Sequence, residues 1–224
     1  MYKTYIMHYK PATERYDSII SQVKYANIEN YELITDYDKE DLNDEIIKQY
    51  YNPDKEYQAG ASSFSTRGEG PIDYRELKAP EISLCVKYMK TFEKILNEQE
   101  ECFLFLEDDC VFNKIAPIET IIESAPKDFD AIFIGGAFDV NIVKIIDIFS
   151  GFVLAGHPAT NTTSSFILTK TAISKMLEYC VPFCLPIDWQ LNYAFSKADL
   201  KVYHTIPYIC KQVSGTQFNS NVTR

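Results

Sequence analysis

The run Cys102-Phe103-Leu104-Phe105-Leu106 is apolar without a break, and it stops at Glu107-Asp108-Asp109. A continuous apolar run of this length suits a strand buried on both faces, as found inside α/β sheets. In open α/β sheets ligands bind at the carboxyl ends of the strands, and here that end carries three acids. Crowded carboxylates are costly unless solvated or neutralised by a cation. A divalent ion that takes oxygen ligands, Mg2+ or Mn2+, resolves the conflict and brings substrate phosphates with it. The acid-x-acid spacing puts Glu107 and Asp109 on the same side of an extended segment. The competing reading is a solvated loop whose acids cap the next helix.

Outward from that strand the pattern alternates. Residues 2–9 read as an opening strand, and a helix begins at Thr13, with Tyr16, Ile19, Ile20 and Val23 at helical spacing. Residues 31–35 read as a second strand, and Asp38 starts a helix with acids in its first turn. Residues 53–80 are small, polar and glycine-bearing, which predicts a mobile loop that could close over a ligand. Pro80-Glu81 opens a long core helix with the stripe Ile82, Cys85, Tyr88, Met89, Phe92, Ile95 and Leu96. A short helix is expected at 117–124, and a buried strand at 130–136 that ends in Gly135 and Gly136. Residues 139–163 give no clear pattern. Then come a strand at 164–168, helices at 170–179 and 187–198, a strand at 201–206 and an irregular tail after Gln212. The expected fold is α/β, one domain over residues 1–224, with a mostly parallel central sheet flanked by helices.

Composition excludes several function classes. Lys plus Arg is 22 and Asp plus Glu is 32, for a net charge of -10. Such a chain repels phosphate backbones and anionic lipid, so no nucleic-acid partner is expected. No window is apolar for long enough to span a membrane. The N-terminus has no apolar signal core, and the six cysteines show no CxxC spacing; a reducing, cytoplasmic setting is expected. The three histidines, His8, His157 and His204, form no HxH or HExxH arrangement. Phosphate-loop, dinucleotide and serine-elbow motifs are missing. A metal-dependent phosphoesterase could use the same acids, as could a degenerate transferase domain that binds carbohydrate or nucleotide without turnover.

With the acidic triplet in place, the order of segments resembles glycosyltransferase family 25, the lipopolysaccharide-type and procollagen galactosyltransferase-like enzymes. The matching residues are Glu14-Arg15, Pro80-Glu81-Ile82, Phe105-Leu106-Glu107-Asp108-Asp109, Ile187-Asp188-Trp189-Gln190, and Pro207, Gln212 and Ser214. Lys87-Tyr88 stands where that family has Ser-His. The resemblance implies a GT-A fold and an inverting hexosyltransferase of glycan biosynthesis. It also implies a nucleotide-sugar donor, foremost a UDP-sugar, a glycan or other hydroxyl acceptor, and a Mn2+-type metal at a DXD-like motif.

Carried over, Asp109 would ligate the metal, with Glu107 or Asp108 assisting there or at the ribose, and Gln212 on the donor. Asp188, beside Trp189, is the candidate base for the acceptor hydroxyl; it could instead cap its helix. His204 could be a further ligand or a core histidine. Arg15 could meet donor phosphate or a carboxylate of the fold. Asp36 could accept from the ribose or base, or cap a helix. Gly135 and Gly136 could let substrate approach the backbone, or merely turn the chain. The hydroxyls of residues 160–165 suit a sugar or an ordinary loop.

Overall fold

The computed structural model describes residues 1–63, 75–114 and 117–213. In chain order the elements are β1 (Tyr2–Met7), α1 (Thr13–Tyr25), β2 (Tyr31–Ile34), α2 (Asp44–Tyr50), α3 (Lys55–Ser62), α4 (Ala79–Ile95), β3 (Cys102–Glu107), β4 (Cys110–Phe112), α5 (Ile118–Ser124), β5 (Ala131–Phe133) and β6 (Gly135–Gly136). A 3-10 turn (Val140–Ile142) leads into β7 (Lys144–Phe149) and β8 (Phe152–Gly156). The chain continues through β9 (Ser165–Thr169), α6 (Lys170–Cys180), α7 (Ile187–Lys197), β10 (Val202–Thr205) and β11 (Cys210–Gln212).

Eight strands form the central sheet in the order β2-β1-β3-β9-β5-β10-β8-β7. β2, β1, β3, β5, β10 and β7 point one way, while β9 and β8 run against them. The mostly parallel sheet is therefore present, with β9 inserted antiparallel between β3 and β5. A second, three-stranded sheet, β4-β11-β6, sits beyond the carboxyl ends of β3 and β5.

The alternation of β3 explains its unbroken apolar sequence. Phe103 and Phe105 enter the core on one face with α4, α6 and α7. Leu104 and Leu106 enter the core on the other face, with α1 and α5. Phe105 stacks on Phe166 of β9 at 5.1 Å between ring centres, and Tyr88 of α4 lies 6.0 Å away. Each fully buried aromatic or aliphatic side chain here contributes about 1.5–3 kcal/mol of transfer free energy. That packing makes β3 a rigid support for the acids at its end.

Several local expectations change. The helix after β2 starts at Asp44, not Asp38: Asn43 is its cap and accepts from the Ile46 N–H at 2.9 Å. The stretch expected as a loop at 53–80 contains α3, capped by Asp54, which accepts from the Tyr57 N–H at 2.8 Å; its residues 64–74 lie outside the described residues. On α1 it is Arg15 that is buried with Ile19 and Val23, while Tyr16 is exposed. Leu96 is likewise exposed, just past the end of α4. The unread stretch 139–163 forms β7 and β8, joined by a two-residue turn with positive φ at Ser150 and Gly151. Ser214 and the rest of the tail to 224 lie outside the described residues. No described helix is long and apolar enough to cross a membrane.

Candidate active site

The register of β1 and β3 places Met7 beside Glu107, so both strands end at the same level. A cleft opens there, bounded by the loop after β1, the first turns of α4 and the Glu107-Asp108-Asp109 turn. The turn is held on both sides. Glu107 N–H donates to Ser164 O at 3.0 Å, and Asp108 N–H donates to Met7 O at 3.2 Å.

The three acids have three different fates. Asp108 is buried, and its carboxylate is spent on the fold: Arg15 donates at 2.7 Å, His8 Nδ1 lies at 2.9 Å and the Tyr9 N–H donates at 3.3 Å. Burial alone would push this carboxyl up, but the His8 hydrogen bond and the Arg15 charge outweigh it and hold it below the usual carboxylate range. Arg15 thus meets a carboxylate of the fold, with Asp109 3.9 Å from the same nitrogen. Asp108 and Arg15 also line the cleft. The pair locks α1 to the end of β3, and its charges are already matched.

Glu107 and Asp109 are left facing each other's field. Burial first, and the Asp109 charge second, push the Glu107 carboxyl up to about 8, against a partly offsetting hydrogen bond from Thr163 at 2.5 Å. Tyr88 Oη stands 3.4 Å from the same oxygen. Asp109 is buried, receives Gln212 Nε2 at 3.2 Å, and is fixed through its backbone by the Val213 N–H at 3.0 Å. Gln212 lines the cleft wall.

Among the described residues no three His, Cys, Asp or Glu side chains converge to hold an ion on their own. The chemistry of the donor set still fits Mg2+ or Mn2+. Burial, with the Asp109 charge behind it, pushes the Glu107 carboxyl up to about 8, and a cation between the two acids would offset both effects. Such ions are commonly held by one or two carboxylates, with waters and substrate phosphates completing the shell.

One cleft pair has a role that the sequence reading gave to neither of its residues. Lys87 of α4 is buried and donates to Asp38 at 2.5 Å, to His8 O at 2.5 Å and to Ile34 O at 3.3 Å. Asp38 also accepts from the Lys10 N–H at 3.1 Å. Burial holds the Lys87 ammonium below its usual range, partly countered by Asp38. The ammonium ties the ends of β1 and β2 to α4 and shapes the wall opposite the acids. Its signal in the sequence was a lysine inside the apolar stripe of a core helix.

The remaining expected residues are dispersed. Asp36 is exposed beyond β2; Asp38, two residues on, occupies the cleft instead. Gly135 and Gly136 form β6 and pack closely against neighbouring segments. A Cβ on Gly135 would lie 2.6 Å from Cys210 O, and one on Gly136 would lie 2.6 Å from Asn161 O. His204 is fully buried, with Nδ1 2.7 Å from Tyr208 Oη and Nε2 2.8 Å from Ala159 O. Its ring also stacks on Phe133. Both nitrogens thus have partners within the core. Asp188 is half-buried in the first turn of α7 and lines a separate hollow with Gln58, Arg75, Leu185 and Trp189. Its charge still reaches Glu107 and adds to the upward push there. Of residues 160–165, Thr163 bonds Glu107, Asn161 braces Phe138 and Tyr208, and Thr160 bonds the Asp188 carbonyl.

No family model and no curated protein sequence matches the chain, so the family 25 resemblance stands on the motifs alone. Solved structures share the fold. The inositol-1-phosphate CTP transferase of T. maritima is similar with a TM-score of 0.50 at 12% identity, covering 98% of this chain and 92% of that one. A Drosophila galactosyltransferase crystallised with manganese, UDP-Gal and xylobiose gives 0.47 at 8% identity, over 99% and 77%. A glycosyltransferase involved in glycosylation of the major capsid of PBCV-1 gives 0.46 at 10%, over 96% and 94%. The similarity to the CTP transferase shows a shared mixed α/β fold.

Proposed function

We propose that the chain is a glycosyltransferase that moves a sugar, a hexose foremost, from a nucleotide-sugar donor to a hydroxyl acceptor. The observation that carries this reading is the Glu107–Asp109 pair: two mutually repelling carboxylates at the carboxyl end of a central strand, beside a cleft. Their repulsion supports a divalent cation, and the cation supports a diphosphate. When bound, Mn2+ or Mg2+ would draw charge from the departing nucleoside diphosphate. Glu107 and Asp109 would hold it, with Gln212 orienting Asp109.

The protein's own work is then positional. Lys87 and Asp38 fix the wall against which the nucleotide lies, and Arg15 with Asp108 keeps the acidic turn in place. The anomeric carbon–oxygen bond to the diphosphate breaks as a bond to the acceptor oxygen forms. The acceptor proton passes to Asp188, with Trp189 as a flat surface for a sugar ring. Attack from the face opposite the leaving group would invert the anomeric centre.

A thermal-unfolding series tests this. UDP with Mn2+ is expected to raise Tm, since a ligand at a hundred times its Kd stabilises by about 2.7 kcal/mol. Asp109→Ala should lose the Mn2+-dependent part of that rise. Asp188→Asn should keep it and lose sugar transfer. Failure of every nucleoside diphosphate to shift Tm, with or without metal, rejects the reading. Release of pyrophosphate from a nucleoside triphosphate would replace it with nucleotidyl transfer.

A further inference from the structure

Residues 159–163 lead from the start of α7 to the end of β3, and Thr160, Asn161 and Thr163 among them are buried. Buried polar side chains are costly unless partnered, and the partners of this segment come from separate parts of the fold. Asn192 Oδ1 of α7 accepts from the Ala159 and Thr160 N–H groups, both at 2.8 Å. The Thr160 hydroxyl donates to Asp188 O at 3.2 Å. Asn161 Nδ2 donates to Phe138 O at 2.7 Å, and its Oδ1 accepts from the Phe138 N–H at 3.2 Å. The segment is therefore fixed before the chain reaches Thr163.

Thr163 turns its hydroxyl on Glu107. It donates to Oε1 at 2.5 Å. Tyr88 Oη stands 3.4 Å from that same oxygen and donates to Thr163 O at 3.2 Å. A phenol has one proton to give, so Tyr88 chiefly braces the Thr163 backbone, and Thr163 makes the direct contact. The Glu107 backbone is held independently, by its N–H on Ser164 O at 3.0 Å. Both hydroxyls thus meet one oxygen of the carboxylate. Its plane is set, and Oε2 is the oxygen that Glu107 turns to the cleft it lines. A glutamate without such contacts would sample many rotamers and present either oxygen or both.

We propose, resting on the cation reading of the Glu107–Asp109 pair, that Thr163, braced by Tyr88, is the positioning residue that makes Glu107 a one-oxygen ligand. An ion of Mg2+ type keeps several waters and takes one or two carboxylates in octahedral geometry. Ca2+ takes six to eight oxygens and often a carboxylate by both of its oxygens. With Oε1 committed to Thr163, Glu107 suits the octahedral ions, Mg2+ or Mn2+, better than Ca2+. Hydrogen-bond partners that orient a metal-binding side chain typically carry about 10–100-fold in metal affinity.

Mn2+ binding to the full chain with UDP in excess tests this, read from the loss of the free Mn2+ signal in electron paramagnetic resonance, with Ca2+ added as competitor. Thr163→Val keeps the branched shape and removes the hydroxyl. Its Mn2+ affinity should fall about 10–100-fold, and the ratio of Mn2+ to Ca2+ affinity should narrow. Thr163→Ser keeps the hydroxyl and should restore both. Tyr88→Phe keeps the ring against Phe105 and Phe166 and should lose less. Circular dichroism checks that each variant is folded. A role confined to packing would lower the urea midpoint of Thr163→Val and leave both affinities unchanged, which overturns the proposal. So does a Thr163→Ser variant that recovers nothing. Should Thr163→Val not fold, an unchanged Mn2+ affinity in Tyr88→Phe overturns it. A parent that binds no Mn2+ with UDP or any other nucleoside diphosphate rejects the cation reading itself, and the role of Thr163 with it.

Discussion

At the end of β3, charge lies inside: Asp108 is 5% exposed and Asp109 3%. Along β7, at the outer edge of the same sheet, apolar groups lie outside, with Ile148 63% exposed. Both regions depart from the ordinary sorting of side chains, in opposite senses. The buried acids are maintained by partners within the chain, chiefly Arg15, His8, Thr163 and Gln212. The exposed isoleucines are covered by no described strand beyond β8. The first region is organised from within and is ready for a small ligand. The second turns its apolar groups outward.

The largest effect expected from this contrast falls on Asp108. Asp108→Ala removes the carboxylate that the buried Arg15 guanidinium meets at 2.7 Å and that His8 Nδ1 meets at 2.9 Å. Removing one member of a buried pair costs about 3–5 kcal/mol. Urea unfolding of this variant should show that loss, and replacing Arg15 with Met in the same chain should recover part of it. The sign of the pH dependence follows from the depressed folded-state carboxyl. Its stabilisation is present above the unfolded carboxylate range and disappears as pH falls through the folded value. An Asp108→Ala variant as stable as the parent would mean that the buried acids are not locked from within.

A smaller effect of opposite sign is expected at Glu107. Its carboxyl is raised, from 4.5 to about 8, so the unfolded chain gives up this proton before the folded chain does. Without metal, stability should therefore fall as pH climbs from about 4.5 toward 8, and the full cost is present above that. Glu107→Gln removes the cost. The variant should be more stable than the metal-free parent at pH 8, and its Tm should lose that part of the pH slope. A parallel slope in both proteins would show that Glu107 is not strained in the folded chain.

How far the sequence displayed these features depends on the kind of interaction behind them. β3 was readable because burial on both faces leaves no polar position in the run, and its end was readable because three acids follow at once. For the glycines of β6 the sequence shows only that a side chain is missing; that Cys210 and Asn161 approach them closely comes from the fold. Asp36 was chosen over Asp38 because the end of a strand cannot be placed to within two residues by propensity. The difference is settled by Lys87, which is distant in sequence and reaches Asp38 only after α4 docks. His204 resembled a ligand because the acceptors of its two nitrogens, a backbone carbonyl and a tyrosine, leave no motif. β7 went unread because its bulge breaks the two-residue alternation that identifies strands.

The smallest expected effect completes the contrast. Ile148→Glu replaces a side chain already mostly in water. Exposed positions of this kind change folding stability by no more than about 0.5 kcal/mol. Urea midpoints of parent and variant should therefore coincide within that margin. A variant destabilised beyond it would mean that Ile148 supports the fold of its own chain. The apolar surface of β7 would then be part of the monomer's packing, and its likeness to the inside-out sorting at β3 would be lost.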